Sequence, residues 1–284
     1  MSFANKTVLI TGATGTLGRA LSFAFRKSDA NLVVLAKNES QLKILYNELN
    51  KCAGNGSINQ IVADLSNPDF LDKTNTNMFI TDILINNAAT QSPIGLLESN
   101  SCSAWLDIVN INLVAPVFLC RTAIPRMKSN KFGRIINISG GGAAGPRAFF
   151  SAYSSTKAAL VRLTETLACE LQNTGVTVNA IAPGAMLSAM TKEVLNAENI
   201  IENEELQRAQ WLYLNKEDNT AAEAVDLCLW LASDASNGIT GRLISAKWDN
   251  WKEWPKHLAE LQNSDLYTLR RITGRDRGQT WGDK

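Results

Sequence analysis

Tyr153 and Lys157 stand four residues apart in Tyr-Ser-Ser-Thr-Lys, within a stretch whose spacing predicts helix. Four residues is about one helical turn, so the phenol and the ammonium share a face. An unperturbed phenol titrates near pH ~10, too high for ready proton exchange at neutrality. A neighbouring cation favours the phenolate. Bringing the tyrosine to about 7 takes roughly three units, or about 4 kcal/mol of differential interaction. One lysine, helped by a bound charge nearby, would supply it, and the pair reads as a tuned general acid/base. The plain alternative is an exposed i,i+4 pair, which Tyr-x-x-x-Lys forms often by chance. The surroundings decide between the two.

The start of the chain supplies those surroundings. Lys6-Thr-Val-Leu-Ile10 is an apolar, β-branched run that reads as a buried strand. Thr11-Gly-Ala-Thr-Gly-Thr-Leu-Gly18 follows, and Arg19–Arg26 then has helical spacing through Leu21 and Phe25. Strand, glycine-rich turn and helix make a dinucleotide site. Glycine lets the backbone approach a pyrophosphate, and the helix N-terminus offers unpaired N–H groups and a positive dipole end. The spacing of Gly12, Gly15 and Gly18 is not G-x-G-x-x-G. A tight turn without ligand is the plain alternative.

Taken together, these features resemble the short-chain dehydrogenase/reductase family over about Lys6 to Leu243. Thr11-Gly12, Gly15 and Gly18 resemble its cofactor loop, with Thr14, Thr16 and Leu17 between them. Ala63-Asp64-Leu65 resembles the turn whose aspartate reaches the adenine. Asn86-Asn87-Ala88-Ala89 is similar to the Asn-Asn-Ala-Gly segment after the fourth strand, with alanine in place of the last glycine. Asn112 matches the helix asparagine that links the catalytic lysine to a water. Tyr153 and Lys157 match the catalytic pair. Pro183-Gly184-Ala-Met186-Leu-Ser188-Ala-Met190 resembles the Pro-Gly-x-x-x-Thr-x-Met stretch that binds the nicotinamide amide.

Two departures stand out. The middle glycine of the commonest branch falls at Thr16; here a glycine stands one place earlier, at Gly15. This should alter the loop's geometry rather than abolish binding. The family's catalytic serine lies thirteen residues before the tyrosine, and that position is Gly140. Ser139 is one residue too early, and a rearranged Gly140–Gly145 loop would bring it into the site, since glycines make that inexpensive. Otherwise a substrate hydroxyl or a backbone N–H orients the carbonyl, or the enzyme is weak.

Strand-like runs recur at Val8–Ile10, Asn31–Leu35, Ile61–Ala63, Ile83–Asn86, Gly133–Ile138, Val176–Ile181 and Arg242–Ala246, with helix-like stretches between them. This predicts an α/β fold: a single-domain, Rossmann-like, doubly wound parallel sheet of about seven strands flanked by helices. The domain is expected over 1–247. A Trp/Arg-rich C-terminal extension over 248–284 would pack on the domain or on a neighbouring subunit. The 284 residues suffice for one well-buried core.

A formal charge of +1 gives no pull toward nucleic acid. No run approaches 18 consecutive apolar residues and no secretory signal opens the chain, so no membrane partner and a cytoplasmic location are expected. The five cysteines are scattered, without C-x-x-C, as buried free thiols in a reducing compartment would be. The single histidine, His257, lies beyond the core domain, which removes multi-histidine metal sites and makes a Ser-His-Asp triad implausible. No metal is expected.

The cofactor reading turns on Lys37 and Asn38, which end the second strand. Members preferring NAD carry an aspartate near Ala36 to hold the ribose 2′-OH. Here no acid stands to repel a 2′-phosphate, and Lys37 would pair with it, so NADP(H) is favoured over NAD(H). The resemblance implies hydride transfer between nicotinamide and a carbonyl or secondary alcohol. Tyr153 would be the proton donor, Lys157 would lower its pKa and hold the ribose, Ser139 would stabilise the oxyanion and Asn112 would hold a relay water.

Between Ser188 and Thr220 lies a charged stretch, with Glu193, Glu198, Glu202, Glu204 and Glu205, that resembles the family's substrate lid; most of its charges should face water. The tail carries Trp248, Trp251, Trp254, Arg270, Arg271, Arg275, Arg277 and Trp281. Such residues would suit an anionic or nucleotide-linked substrate, or would mark a protein interface. The helices around Asn112 and Tyr153 are rich in apolar residues, and the resemblance implies that they form the interface of a homodimer or homotetramer. Besides the oxidoreductase acting on a small carbonyl or alcohol, two readings stay open. One is a dehydrogenase, epimerase or lyase acting on a sugar nucleotide. The other is a catalytically weak dinucleotide-binding relative that serves as sensor or scaffold.

Overall fold

The computed structural model describes residues 1–67, 69–70, 81–197, 204–215 and 220–281. Seven strands form one parallel sheet: β1 (Thr7–Thr11), β2 (Asn31–Ala36), β3 (Ile58–Val62), β4 (Ile83–Asn86), β5 (Gly133–Ile138), β6 (Val176–Ala182) and β7 (Leu243–Ser245), in the order β3-β2-β1-β4-β5-β6-β7. Parallel strands covered on both faces read as near-continuous apolar runs, and Val-Leu-Ile, Leu-Val-Val-Leu and Ile-Leu-Ile do so here. Their alternation sends side chains to two cores. Val8, Ile10, Val34 and Ile85 face α1 (Thr16–Lys27), α2 (Glu39–Lys51) and α8 (Thr220–Ala232). Leu9, Val33, Leu84 and Ile135 face α4 (Ala115–Ser129) and the residues that follow α5 (Ser151–Glu170).

The strand order reverses between β1 and β4, so the crevice beyond their C-terminal ends is the topological switch point where such sheets bind ligands. The third strand runs Ile58–Val62, beginning three residues and ending one residue before the run the sequence suggests. As an edge strand it carries Asn59 and Gln60 among its apolar residues, which hides it from an apolar-run reading.

Before α4, the chain runs through α3 (Cys102–Val109) and a π-helical turn at Asn110–Val114. The whole run Cys102–Ser129 is long and apolar enough to cross a membrane by length and composition. Its inner face, through Leu119, Ala123 and Met127, packs on the sheet, and the buried Asn112 sits in its middle, while most of its apolar length is not buried. Leu106 and Val117 remain exposed on it.

The tail folds back on the body. Trp251 and Trp254 are buried in the same core as Val8 and Leu21, and Trp251 packs on Trp230 with ring centres 5.1 Å apart. Trp254 packs on Tyr267 at 4.2 Å. The buried Arg242 donates to the carbonyls of Leu261, Ser264 and Leu266, and the Leu243 N–H donates to Tyr267 O, so the tail covers the open edge of the sheet. Arg270 is committed to Asp265 and Asp276. His257 is exposed and pairs with Glu260 at 3.1 Å. All five cysteines are free, but only Cys120 and Cys228 are buried; Cys102 and Cys169 are exposed and Cys52 is intermediate. Burial of every thiol, as expected from the sequence, is therefore corrected.

Candidate active site

A cavity of about 880 Å³ lies along the C-terminal ends of the strands. At one end it is bounded by the turn between β1 and α1. Gly12, Thr14, Gly15, Thr16, Leu17 and Gly18 all line it. Gly12 has φ +61, and a Cβ there would fall 2.8 Å from the Ala88 backbone; a Cβ on Gly18 would fall 2.2 Å from Gly12 O. Glycine is therefore a steric requirement at both places. Asn87 locks the turn from β4, its amide donating to Thr11 O (2.8 Å) and Gly12 O (3.1 Å). Thr11 Oγ1 accepts from the Asn87 and Ala88 N–H groups. Gly15 is the N-cap of α1 and offers no side-chain cap, and no acidic residue stands in the first turn. Those backbone N–H groups and the positive helix end fit the pyrophosphate of a dinucleotide.

Beyond β2 and β3, Lys37, Asn38, Asp64 and Leu65 line the same cavity. Lys37 Nζ lies 2.8 Å from Asp64 Oδ2, and the contact raises the lysine pKa. Burial works against ionisation of Asp64, yet Lys37 together with the Ser66 N–H and hydroxyl holds its pKa below the ordinary value. Asn38 caps α2, its side chain accepting from the Gln41 N–H at 3.0 Å.

The reacting end is built by β5, α5 and the segment after β6. Tyr153 and Lys157 lie on one face of α5, both buried. Lys157 Nζ donates to Ile138 O at 2.8 Å and sits 5.6 Å from the centre of the Tyr153 ring. Burial alone pushes Lys157 down to about 7. Burial also pushes the Tyr153 phenol up; the cation that opposes this is Arg147, and Glu205 adds to the rise. Lys157 is not among the charges that move the phenol here: its ammonium is turned to a strand carbonyl and is itself starved of solvent.

The thirteen-residue position has a physical explanation. A Cβ on Gly140 would fall 2.3 Å from Tyr153 Oη, so with the phenol where it is only glycine fits. Ser139, one residue earlier, lines the cavity, and its buried Oγ has no hydrogen-bond partner. Pro183, Gly184, Met186 and Ser188 complete this wall. Thr191 orders it, accepting from the Ser188 N–H (3.2 Å) and donating to Met186 O (2.6 Å).

Asn112 does not line the cavity. Its amide donates to Thr90 O (2.9 Å) and Thr156 Oγ1 (3.1 Å), and its Oδ1 accepts from the Thr90 N–H (3.0 Å). It clamps the segment after β4 to the helix that carries Tyr153, from a π turn of the kind that often marks functional sites.

Several lining residues escaped the sequence reading, chief among them Arg147, Gln91, Arg208 and Thr191. Of the expected lid charges, Glu193 on α6 (Ala189–Leu195) is partly buried near Ser92, and Glu205 on α7 (Glu204–Asn215) pairs with Arg147 at 2.7 Å. Glu204 is exposed, and Glu198 and Glu202 lie outside the described residues. Among the described tail residues only Trp248 reaches the cavity.

Residues 6–199 match the family described as short chain dehydrogenase. The 3-oxoacyl-[acyl-carrier-protein] reductase of Rickettsia bellii is 31% identical over 245 residues, covering 86% of this chain and 96% of its own. The D-beta-hydroxybutyrate dehydrogenase of Rhizobium meliloti is 30% identical over 253 residues, covering 84% and 96%. Among solved structures, a 3-oxoacyl-[acyl-carrier protein] reductase with bound NAD from Brucella melitensis aligns with a TM-score of 0.71 at 27% identity, covering 86% of this chain and 90% of that one. A Beutenbergia cavernae protein assigned as an NAD(P)-dependent gluconate 5-dehydrogenase, with bound NADP, aligns at 0.72 and 27%, covering 90% and 98%. The chain belongs to the short-chain dehydrogenase family and is an NAD(P)-dependent oxidoreductase.

Proposed function

We propose that this enzyme interconverts a small carbonyl compound and its secondary alcohol, with Tyr153 as general acid/base and NADP(H) as the preferred cofactor. The observation that carries the reading is the buried Tyr153 phenol, set against the Gly140 backbone in the cavity that also holds the unpartnered Ser139 Oγ. When bound, the nicotinamide supplies or accepts the hydride. Tyr153 gives its proton to the developing alkoxide in reduction and removes it in oxidation. Burial pushes its pKa up, so the phenol holds its proton until negative charge develops on the substrate oxygen. Ser139 donates to the substrate oxygen as negative charge grows there. Lys157, buried beneath both, holds the cofactor ribose. Asn112 keeps α5 in register with the segment after β4.

The NADP(H) preference rests on Lys37, whose side chain is 73% exposed beside the cavity; the structure corrects the expectation that no acid stands there, because the Asp64 carboxylate lies 2.8 Å from Lys37 Nζ and a 2′-phosphate would have to displace it. An exposed pair of this kind is weak enough to yield to a phosphate. The apolar surface left by Leu106 and Val117 supports a homo-oligomer built through the helices around Asn112 and Tyr153. The tail does not favour a nucleotide-sugar substrate, because its arginines are engaged with its own acids or lie away from the cavity.

Titration of NADPH and NADH by nicotinamide fluorescence, with Lys37→Asp alongside, tests the cofactor reading. Tighter NADPH binding that Lys37→Asp reverses is expected. Equal or tighter NADH binding would remove the role given to Lys37, and binding of neither would sink the dehydrogenase reading.

A further inference from the structure

We propose that the substrate carries a carboxylate a few bonds from its reacting carbon, and that Arg147 binds it after releasing Glu205. The inference rests on the reading of Tyr153 as the acid/base. Arg147 stands in the loop between β5 and α5. Its guanidinium lies 3.7 Å above the Phe150 ring and 5.6 Å from the centre of the Tyr153 ring, and it lines the cavity with Tyr153 and Ser139.

A guanidinium offers two parallel N–H groups along its Nε–Nη edge, a fork that matches both oxygens of a carboxylate. Here that fork is half filled. Nη2 donates to Glu205 Oε2 at 2.7 Å, while the Nε–H is buried with no partner. A buried donor left unpaired carries a desolvation cost that a better-placed second oxygen would remove. Glu205 therefore stands where a carboxylate belongs but satisfies the site poorly, which makes it displaceable.

The neighbouring charges agree. Arg208, one helical turn along α7 from Glu205, also lines the cavity and has no ion-pair partner among the described residues. Glu193 is the other carboxylate at this end. Burial raises its pKa, and the Ser92 hydroxyl donates to it at 3.3 Å, so it is partly screened. The short reach from Arg147 to the Tyr153 ring limits how far the anion can sit from the reacting carbon. A short oxo or hydroxy acid fits; a group linked through a long chain does not.

The full-length enzyme with NADPH is assayed on a series of short 3-oxo acids, beginning with acetoacetate, and on their methyl esters. Wild type, Arg147→Leu and Glu205→Gln are compared by the acid-to-ester ratio of kcat/KM. We expect the acid to be preferred by about tenfold or more through KM, the scale of one charge-assisted hydrogen-bonded pair. Arg147→Leu should bring the ratio to near one. Glu205→Gln, which keeps the Arg147–Phe150 stack, should raise it several-fold by removing the internal competitor. A wild-type ratio of one or below, or a ratio that neither substitution moves, overturns the proposal. Where no member turns over, the same ratios are read from quenching of bound NADPH fluorescence, and an equal or absent response to acid and ester also overturns it. Tyr153-dependent reduction of the esters without acid preference would sink this inference alone. Failure to bind NADPH would sink the functional reading beneath it.

Discussion

The two ends of the cavity are built on different principles. At the glycine turn the cavity is shaped by main chain: Gly12 and Gly18 touch backbone that no Cβ could approach, and Asn87 and Thr11 consume each other's donors and acceptors. At the Tyr153 end it is shaped by side chains whose polar groups are not all used, including Ser139 Oγ and Arg147 Nε. A wall of backbone recognises what every dinucleotide shares. A wall of incompletely satisfied side chains is specific to one substrate, because such groups find full partners only when that substrate arrives.

The sharpest way to break this contrast is Tyr153→Phe. Removing the proton donor should lower kcat by about a thousandfold, within the range for lost general acid catalysis. Dinucleotide affinity, held mainly by the glycine turn and by Lys157 rather than by the phenol, should change by no more than about twofold. Stopped assays alongside nicotinamide fluorescence measure both. A parallel collapse of cofactor binding would mean that the two ends are not independent.

Gly140→Ala probes the border between them and should come next in size. The new Cβ would lie 2.3 Å from Tyr153 Oη, so either the phenol or the strand end must shift. Misplacing a proton donor by about an ångström costs on the order of a hundredfold in rate, and overpacking costs about 1–3 kcal/mol of stability. Activity and thermal unfolding that both stay at wild-type levels would show that Tyr153 is not confined as described.

These two regions were also unequally legible in the sequence. The glycine turn and the Tyr153–Lys157 pair carry local spacing, and local spacing survives in one dimension; Asn87 and Asp64 are reached only through the resemblance to the family. The sheet was legible for the same reason, except at β3, where Asn59 and Gln60 interrupt the apolar run. Arg147 and Glu205 are 58 residues apart, and neither belongs to a repeating pattern. Their pairing follows from where the β5–α5 loop and α7 meet in space. The one local cue was an arginine directly before Ala-Phe-Phe150 in a loop otherwise made of small residues. Spacing along a helix says that Lys157 is near Tyr153, not that its ammonium points to Ile138 O.

Lys157 shows what that orientation costs. Its Nζ is buried against Ile138 O without a carboxylate, and its pKa falls from 10.5 to about 7. In the unfolded chain the amine holds its proton up to about its ordinary value. Between about 7 and 10.5 the unfolded state therefore binds the proton that the folded state has released, and stability rises with pH through that window. Toward neutrality the folded protein must either bury a charge or give up a proton, and both are unfavourable. Lys157→Met should remove that penalty. It should be more stable than wild type by on the order of 2 kcal/mol near neutral pH, less than full linkage because the bond to Ile138 O is also lost. The advantage should shrink as pH rises toward about 9, while turnover is lost throughout. Urea unfolding of both proteins across that range measures the difference. A variant that is less stable at every pH would mean that the ammonium is compensated in the fold, and the reacting end would then be as fully satisfied as the glycine turn.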